Sequence, residues 1–315
     1  MKIDARHLEI LAAIVDHGGL TEGATALGKS QPSVSRTLSQ LEARIGEPLF
    51  LPGRRPLQPT DLGLALAEHG RAVLKASRSA SDIVERHRTG HSGAVRVGGT
   101  PIFMDGVIAP MIARFQQAHP DVRVDQSYGY ATDLVERLRG GALDIAILPL
   151  QPDRVPGDLN FRAILPGLNV IACREGHPLA RRKLLTPSDI AKFPWIAPPA
   201  DSPLYKDLRR ALTNIGASDF RISFSGGSLS SVLSVLTESD SLTVLPYSVV
   251  FMLKGRSAVT ALSLEIGHPD RELGVLAMNQ TLWSPAARRF RAFVILQFES
   301  LSRRILQHQK DQLWR

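Results

Sequence analysis

The segment Ser30–Ile45 limits the fold of this chain more than any other. Its apolar residues Val34, Leu38, Leu41 and Ile45 recur at spacings of 4, 3 and 4, which puts them on one face of a helix. Pro32, Ser33, Arg36, Ser39 and Gln40 fall on the other side. Ser30 can cap this helix, and Pro32 sits in the first turn, where its missing N–H does no harm. Two shorter helices come before it. Leu8, Leu11, Ala12 and Val15 form one apolar face ahead of Gly18-Gly19, and Leu20, Ala24 and Leu27 form a second that Gly28 ends. A short helix, a glycine-bearing turn and a capped second helix make a helix-turn-helix pattern, here spanning Glu22 to Leu41. The outer face of such a second helix can enter a major groove. Here it offers Gln31, Ser33, Arg36 and Gln40: arginine pairs with guanine, glutamine with adenine, and serine bonds base or phosphate. On pattern alone, a small three-helix domain with polar outer faces fits equally well.

Residues 51–59 hold three prolines, Gly53 and the pair Arg54-Arg55, which reads as a tight loop or a two-stranded wing. Arg54 and Arg55 there can reach flanking phosphate or the adjacent minor groove. From Thr60 a long helix follows. Leu62, Leu66, His69, Val73, Ala76, Ala80, Ile83 and His87 alternate at spacings of 4 and 3. Over about 28 residues this makes a coiled-coil seam of about 40 Å. Its partner is most simply a second copy of the chain, and its alanines and histidines make it weak. An ordinary amphipathic helix lying on a core is the alternative.

After Thr89-Gly90-His91-Ser92-Gly93, strands and helices alternate. Strand Val95–Val97, a helix with Ile108, Ile112 and Phe115, strand Val122–Gln126, a helix with Leu134 and Leu138, and strand Asp144–Leu148 read as βαβαβ, which implies a parallel sheet. A second block, Asn169 to Leu264, repeats the alternation: strands around Val170 and Trp195, helix Leu204–Ile215, strand Phe220–Phe224, helix Leu229–Glu238, strand Leu242–Leu245 and helix Ser248–Leu253. Strand Leu273–Met278 and a helix after Pro285 close the chain.

Composition narrows the function. The chain has 315 residues, 43% hydrophobic and 22% charged, enough for about two domains and too apolar for disorder. The single cysteine, Cys173, excludes an internal disulfide and a multi-cysteine zinc site and suits a reducing compartment. No apolar run approaches the length of a membrane span, and Leu8–Val15 is too short and too interrupted by Glu9 for a signal peptide, so a cytoplasmic protein is expected. The formal net charge of +8 and a pI of about 10.0 point to an anionic partner, nucleic acid or membrane surface. Residues 1–92 carry 12 basic and 10 acidic side chains, a net of +2, against 26 and 20 in the rest, so charge does not mark the contacting face.

Catalytic signals are weak. His87 and His91 fall where helix gives way to linker, and a metal pair is not expected there. The turn Ser225–Ser228 lacks both the P-loop and the nucleophile-elbow pattern. Cys173, between Ala172 and Arg174 in an expected strand, reads as a buried structural thiol. No enzyme activity, cofactor or metal is expected.

Residues 5–63 resemble the LysR-type transcriptional regulators. The resemblance rests on Leu8, Gly19, Ala24, Leu27, the run Ser30-Gln31-Pro32-Ser33-Val34-Ser35, Leu38, Leu41-Glu42, Ile45-Gly46, Leu49-Phe50, Thr60 and Gly63. Further along, Phe115, His119-Pro120-Asp121-Val122, Leu138, Gly141 through Ile147, and Gly176-His177-Pro178-Leu179-Ala180 are similar to that family's effector-domain landmarks. Two places depart. The family usually has an arginine directly after Leu-Phe, whereas here Leu51-Pro52-Gly53 precedes Arg54. A common Ala-Ala pair is Ala24-Thr25.

The resemblance implies an α plus α/β architecture. Residues 1–59 would be a winged helix-turn-helix, 60–89 a linker and dimerisation helix, and 90–315 a periplasmic-binding-protein-like effector domain of two α/β subdomains. Subdomain 1 would hold about 93–165 and 267–300, and subdomain 2 about 166–266, with crossings near Ile164–Gly167 and Leu264–His268. The expected DNA-contacting residues are Ser30, Gln31, Pro32, Ser33, Ser35, Arg36, Gln40, Arg54 and Arg55. Ligands of open α/β sheets sit beyond the carboxyl ends of strands. Thr100, Pro101, Tyr128, Pro149, Ser202, Ser228 and Pro246 are therefore the expected effector contacts. Tyr128 and Tyr130 can stack on a ring or be plain surface residues. The implied partners are double-stranded promoter DNA, a polar or anionic small-molecule effector (a sugar or carboxylate), RNA polymerase if the protein activates, and further copies of the chain as dimer or tetramer. The other class of reading is a cytoplasmic solute-binding or enzymatic α/β protein whose N-terminal helices serve only dimerisation.

Overall fold

A computed structural model describes residues 3–53, 56–89, 93–200, 203–217, 220–267, 270–279 and 283–313. Helix α1 (Ala5–His17) opens at Asp4, whose carboxylate accepts the Arg6 N–H at 2.9 Å, and stops at Gly18 in the left-handed conformation. Helices α2 (Leu20–Ala26) and α3 (Gln31–Ile45) follow. The face expected on α1 is broader than drawn. Ile10, Leu11, Ala12, Ala13 and Ile14 are buried while Leu8 and Val15 are half-buried, because α1 is packed by other helices on more than one side. Val34 and Leu41 are fully buried and join Leu11, Ile14, Leu49 and Phe50 in the head core. Each such side chain contributes about 1.5–3 kcal/mol on leaving water.

Phe50 and Pro59 form a β-bridge, and the Leu51 N–H donates to the Gln58 carbonyl at 2.8 Å, so the two ends of this loop pair with each other as the base of a wing does. The Thr60 hydroxyl accepts the Gly63 N–H at 3.1 Å and starts α4 (Asp61–Thr89). The stripe assigned to a seam is not the whole story of α4. Its first half packs on α1 within the same chain, through Ala67, Gly70 and Leu74. A Cβ on Gly70 would collide with the Leu8 carbonyl, so the missing side chain is what lets the two helices close. The seam residues lie around the helix from this contact. His69, Ala76, Ala80 and Ile83 are exposed, and Leu62, Leu66 and Val73 half-buried. His87 has no described side chain.

Among the described residues the body contains three sheets, of five, three and two strands. Strands β1 (Gly93–Gly99), β2 (Val122–Tyr128) and β3 (Ile145–Leu150) pair in parallel, as the βαβαβ reading expects. Helix α5 (Pro101–Phe103), a π-helical turn (Met104–Ile108) and α6 (Ala109–Ala118) run on from β1, and α7 (Ala131–Arg139) joins β2 to β3. Strands β4 (Leu159–Pro166) and β10 (Glu272–Met278) complete the order β2-β1-β3-β10-β4, and β10 runs antiparallel to both neighbours. The helix expected around Ile108 starts seven residues earlier and carries the π turn. Only its middle shows in an apolar pattern, because Phe103, Met104, Val107 and Ile108 are all buried.

The second half contains β5 (Asn169–Arg174), α8 (Pro187–Ile190), β6 (Trp195–Ala197), α9 (Pro203–Asn214), β7 (Ile222–Ser225), α10 (Leu229–Thr237), β8 (Thr243–Pro246), α11 (Tyr247–Leu253) and β9 (Val259–Ala261). Alternation here does not mean an all-parallel sheet. β6 and β7 are parallel, but β5 lies antiparallel between β8 and β9. The chain crosses from β4 to β5 at Gly167-Leu168 and returns between β9 and β10. Helix α12 (Pro285–Leu313) packs on β1, β4 and α6, and at its far end His308 sits 2.9 Å from the Tyr247 hydroxyl and from Lys254 Nζ. No helix among the described residues is long and apolar enough to cross a membrane.

Candidate nucleic-acid interface and effector cleft

The turn between α2 and α3 is set by Gly28, whose φ of 62° suits glycine, and by the Lys29 N–H donating to the Ala24 carbonyl at 2.9 Å. Gly23 brings α2 against α1: a Cβ there would lie 2.9 Å from Ile14 Cα. These contacts fix α3 on its apolar side and leave its polar side outward. Ser30, Gln31, Pro32, Ser33, Arg36, Ser39 and Gln40 are exposed, and Ser35 is half-buried. Ser30 occupies the N-cap position with extended backbone, but its hydroxyl makes no cap bond. The expected side-chain cap is absent because the Ser33 and Val34 N–H groups donate instead to the Ser30 carbonyl. Lys29 and Thr25, also exposed beside this face, were not among the expected contacts; the turn position of Lys29 was the available signal. Arg54 and Arg55 lie outside the described residues.

The second candidate site lies between the two halves of the body. Thr100, Pro101, Pro149 and Pro246 line one cleft with about 100 Å³ of free volume. Their convergence follows from topology. β1 and β3 are parallel, so Thr100 and Pro149 stand at the same sheet edge, and β8 delivers Pro246 from the facing half. The Thr100 hydroxyl is buried and has no hydrogen-bond partner among the described residues. Most of the remaining wall is apolar, including Ile102, Phe103, Ile196 and Leu273. Ser202 lies outside the described residues. Tyr128 is placed elsewhere: its hydroxyl donates to Asp105 Oδ1 at 2.6 Å, which raises its pKa, and its neighbour Tyr130 lines the cleft instead. Ser228 accepts the Ser231 N–H to cap α10, while Gly226 and Gly227 line the cleft.

Two cleft residues escaped the sequence reading. Arg271 Nη2 donates to Asp207 Oδ1 at 2.9 Å, and both line the cavity. Arg271 comes just before β10, and only the antiparallel direction of that strand brings its start to the same edge as Thr100 and Pro149. A strand direction is not visible in the alternation of elements.

A winged helix-turn-helix head with an outward polar face, joined by a long helix to a two-lobed α/β body with a cleft between its lobes, defines a ligand-responsive DNA-binding regulator. Comparison with known proteins supports this class. Residues 5–64 match the family model for the bacterial regulatory helix-turn-helix protein, lysR family, and residues 88–298 match the LysR substrate binding domain. The chain therefore belongs to the LysR family of transcriptional regulators. It is 27% identical over 308 residues to the HTH-type transcriptional regulator GbpR of Azospirillum brasilense, covering 97% of this chain and 90% of that one. It is 28% identical over 296 residues to the SDS degradation transcriptional activation protein of a Pseudomonas species, covering 93% and 95%. Its fold matches full-length CbnR in complex with its target DNA, with a TM-score of 0.53 and 18% identity over 93% of this chain and 99% of that one. Family membership places the chain among transcriptional regulators, the first of the two readings.

Proposed function

We propose that the chain reads a promoter site through α3 as a cytoplasmic dimer or tetramer, and that a small molecule in the cleft adjusts that binding. The exposed polar face of α3 carries the reading. Arg36 has no ion pair or hydrogen bond among the described residues, so its guanidinium is available to a base edge. Gln31, Ser33 and Gln40 supply further base contacts, and Ser30, Pro32 and Ser35 set the approach to the backbone. Arg54 and Arg55 on the wing contact flanking phosphate or minor groove. The exposed stripe of α4 supports pairing with a second copy, which matches a two-fold symmetric site. In this reading residues 1–59 bind DNA, 60–89 dimerise and 90–315 sense the effector. Where the protein activates, RNA polymerase is a further partner; repression needs only the DNA contact. No chemistry is assigned to the chain.

Ligand control requires unequal affinity for two arrangements of the body. A cleft walled by both lobes supports this, because closure changes its contacts. The test is a gel shift on the chain's own upstream DNA. Retention is expected to fall steeply between 50 and 200 mM salt and to drop with Arg36→Ala. Salt-independent retention, or full retention by Arg36→Ala and Gln40→Ala together, overturns the assignment of the face.

A further inference from the structure

Among the described residues, the effector cleft contains one pair of opposite charges, Arg271 and Asp207, in an otherwise mostly apolar wall. Arg271 comes from the strand edge of the first lobe and Asp207 from α9 of the second, so their bond ties the lobes together. It is a single hydrogen bond and uses one of the guanidinium's five donors. Neither side chain is fully exposed, at 30% and 19%. In the same cavity the Thr100 hydroxyl is buried without a partner among the described residues, and Thr100 as a whole is only 5% exposed. A buried polar group left unpaired is costly, and at a cavity wall it marks where a ligand atom is accepted.

A planar guanidinium among apolar side chains is suited to a carboxylate, which can take two of its donors at once. Asp207 offers Arg271 a carboxylate from within the protein, but holds it through only one bond. We propose that Asp207 stands in for the anionic group of the effector. The effector is then a small organic acid with an apolar body. Its carboxylate takes Arg271 over from Asp207, its body lies against Ile102, Phe103 and Leu273, and an oxygen at its other end reaches the Thr100 hydroxyl. No covalent step is involved. Because the protein's own pair joins the lobes, replacing Asp207 changes which contacts hold them. That supplies the difference between two states that ligand control needs. This rests on the reading of the cleft as the effector site.

The test uses the full chain and matched probes in calorimetry and thermal unfolding: hexanoate, hexanamide and inorganic phosphate. Hexanoate is expected to bind and raise the unfolding temperature, with the other two inactive. Arg271→Gln should weaken hexanoate by about tenfold or more, and Thr100→Val should weaken 6-hydroxyhexanoate more than hexanoate. Asp207→Asn removes the internal competitor and should tighten hexanoate by about threefold or more, a gain that misfolding cannot mimic. Hexanamide or phosphate equal to hexanoate, no binding of hexanoate, undiminished binding by Arg271→Gln, or weaker binding by Asp207→Asn overturns the proposal. Footprinting of the same preparation on genomic DNA separates the two levels. Discrete sites without acid binding sink the ligand class alone; acid binding without discrete sites sinks the regulator reading.

Discussion

The Arg78 guanidinium donates to the Gly140 carbonyl at 2.8 Å, fastening the helix that leaves the DNA-binding head to the end of α7 in the body. Around this bond the contact is mostly ionic and loosely filled. Asp16, Glu68 and Arg71 face Glu136, Arg139 and Asp158 across a cavity of about 560 Å³, with Arg71 bound to Asp16 and Arg139 to Asp158 on their own sides. Arg139 holds the Asp158 carboxyl below its ordinary range. Removing Arg78 should therefore loosen the joint without unfolding either side. Arg78→Ala is expected to cost about 1–2 kcal/mol and to speed hydrogen exchange at residues 140–143. Unchanged exchange there would mean that the bond does not hold the joint.

The α1–α4 contact is tight where the head–body joint is loose. Gly70→Ala puts a methyl group onto the Leu8 carbonyl, and the helices must separate to admit it. The expected cost is about 1–3 kcal/mol, read as a lower unfolding midpoint of the head and weaker DNA retention. A variant as stable as the parent would place α4 differently on α1.

The two arginine classes should behave differently on DNA. Arg36→Ala is expected to cost about 1–3 kcal/mol at the best site and to relax base preference. Arg54→Ala should weaken all sequences alike and lower the salt slope by about 1. Competition binding against a randomised site measures both, and identical profiles for the two variants would contradict the assigned roles.

His177 gives the body an acid-sensitive element. It is buried beside Phe193, its Nδ1 accepts the Leu179 N–H at 3.0 Å, and its Nε2–H meets the Asp240 carbonyl at 3.2 Å. Burial lowers its pKa below the ordinary 6.5, so the folded body favours the neutral ring. The unfolded chain then binds more protons as pH falls below 6.5. Stability from this group is complete above that pH and lost progressively below it. Denaturant midpoints at pH 7.5 and 5.0 should differ less in His177→Gln than in the parent; an equal difference would assign the acid sensitivity to other groups.

Cys173 is buried in β5, and burial pushes its thiol up to about 12. Almost no thiolate exists near neutrality, so native protein should resist alkylation and peroxide should leave DNA retention unchanged. Labelling at the rate of a free thiol would contradict this burial.

The head was legible because its signals are local. Val34, Leu38 and Leu41 show their period within one helix, and Gly18 and Gly28 mark where helices stop. The body was legible as elements and less so as a sheet. The parallel core β2-β1-β3 follows from alternation, but the reversal of β10 and the placing of β5 between β8 and β9 depend on long-range pairing. The cleft shows the same division. Thr100 and Pro149 follow a general rule about strand ends, whereas Arg271 enters only through the direction of β10, and Tyr128 lies outside the cleft with its hydroxyl on Asp105 of the π turn. Short strands such as β9 carry too few residues for a period to show.

The most direct test of the account is selection of genomic DNA fragments by the full chain, with sequencing, beside the double variant Arg36→Ala, Gln40→Ala. The account predicts a small set of discrete sites with two-fold symmetry, lost or blurred in the variant. Uniform recovery of all fragments, or the same sharp sites with the variant, would contradict it.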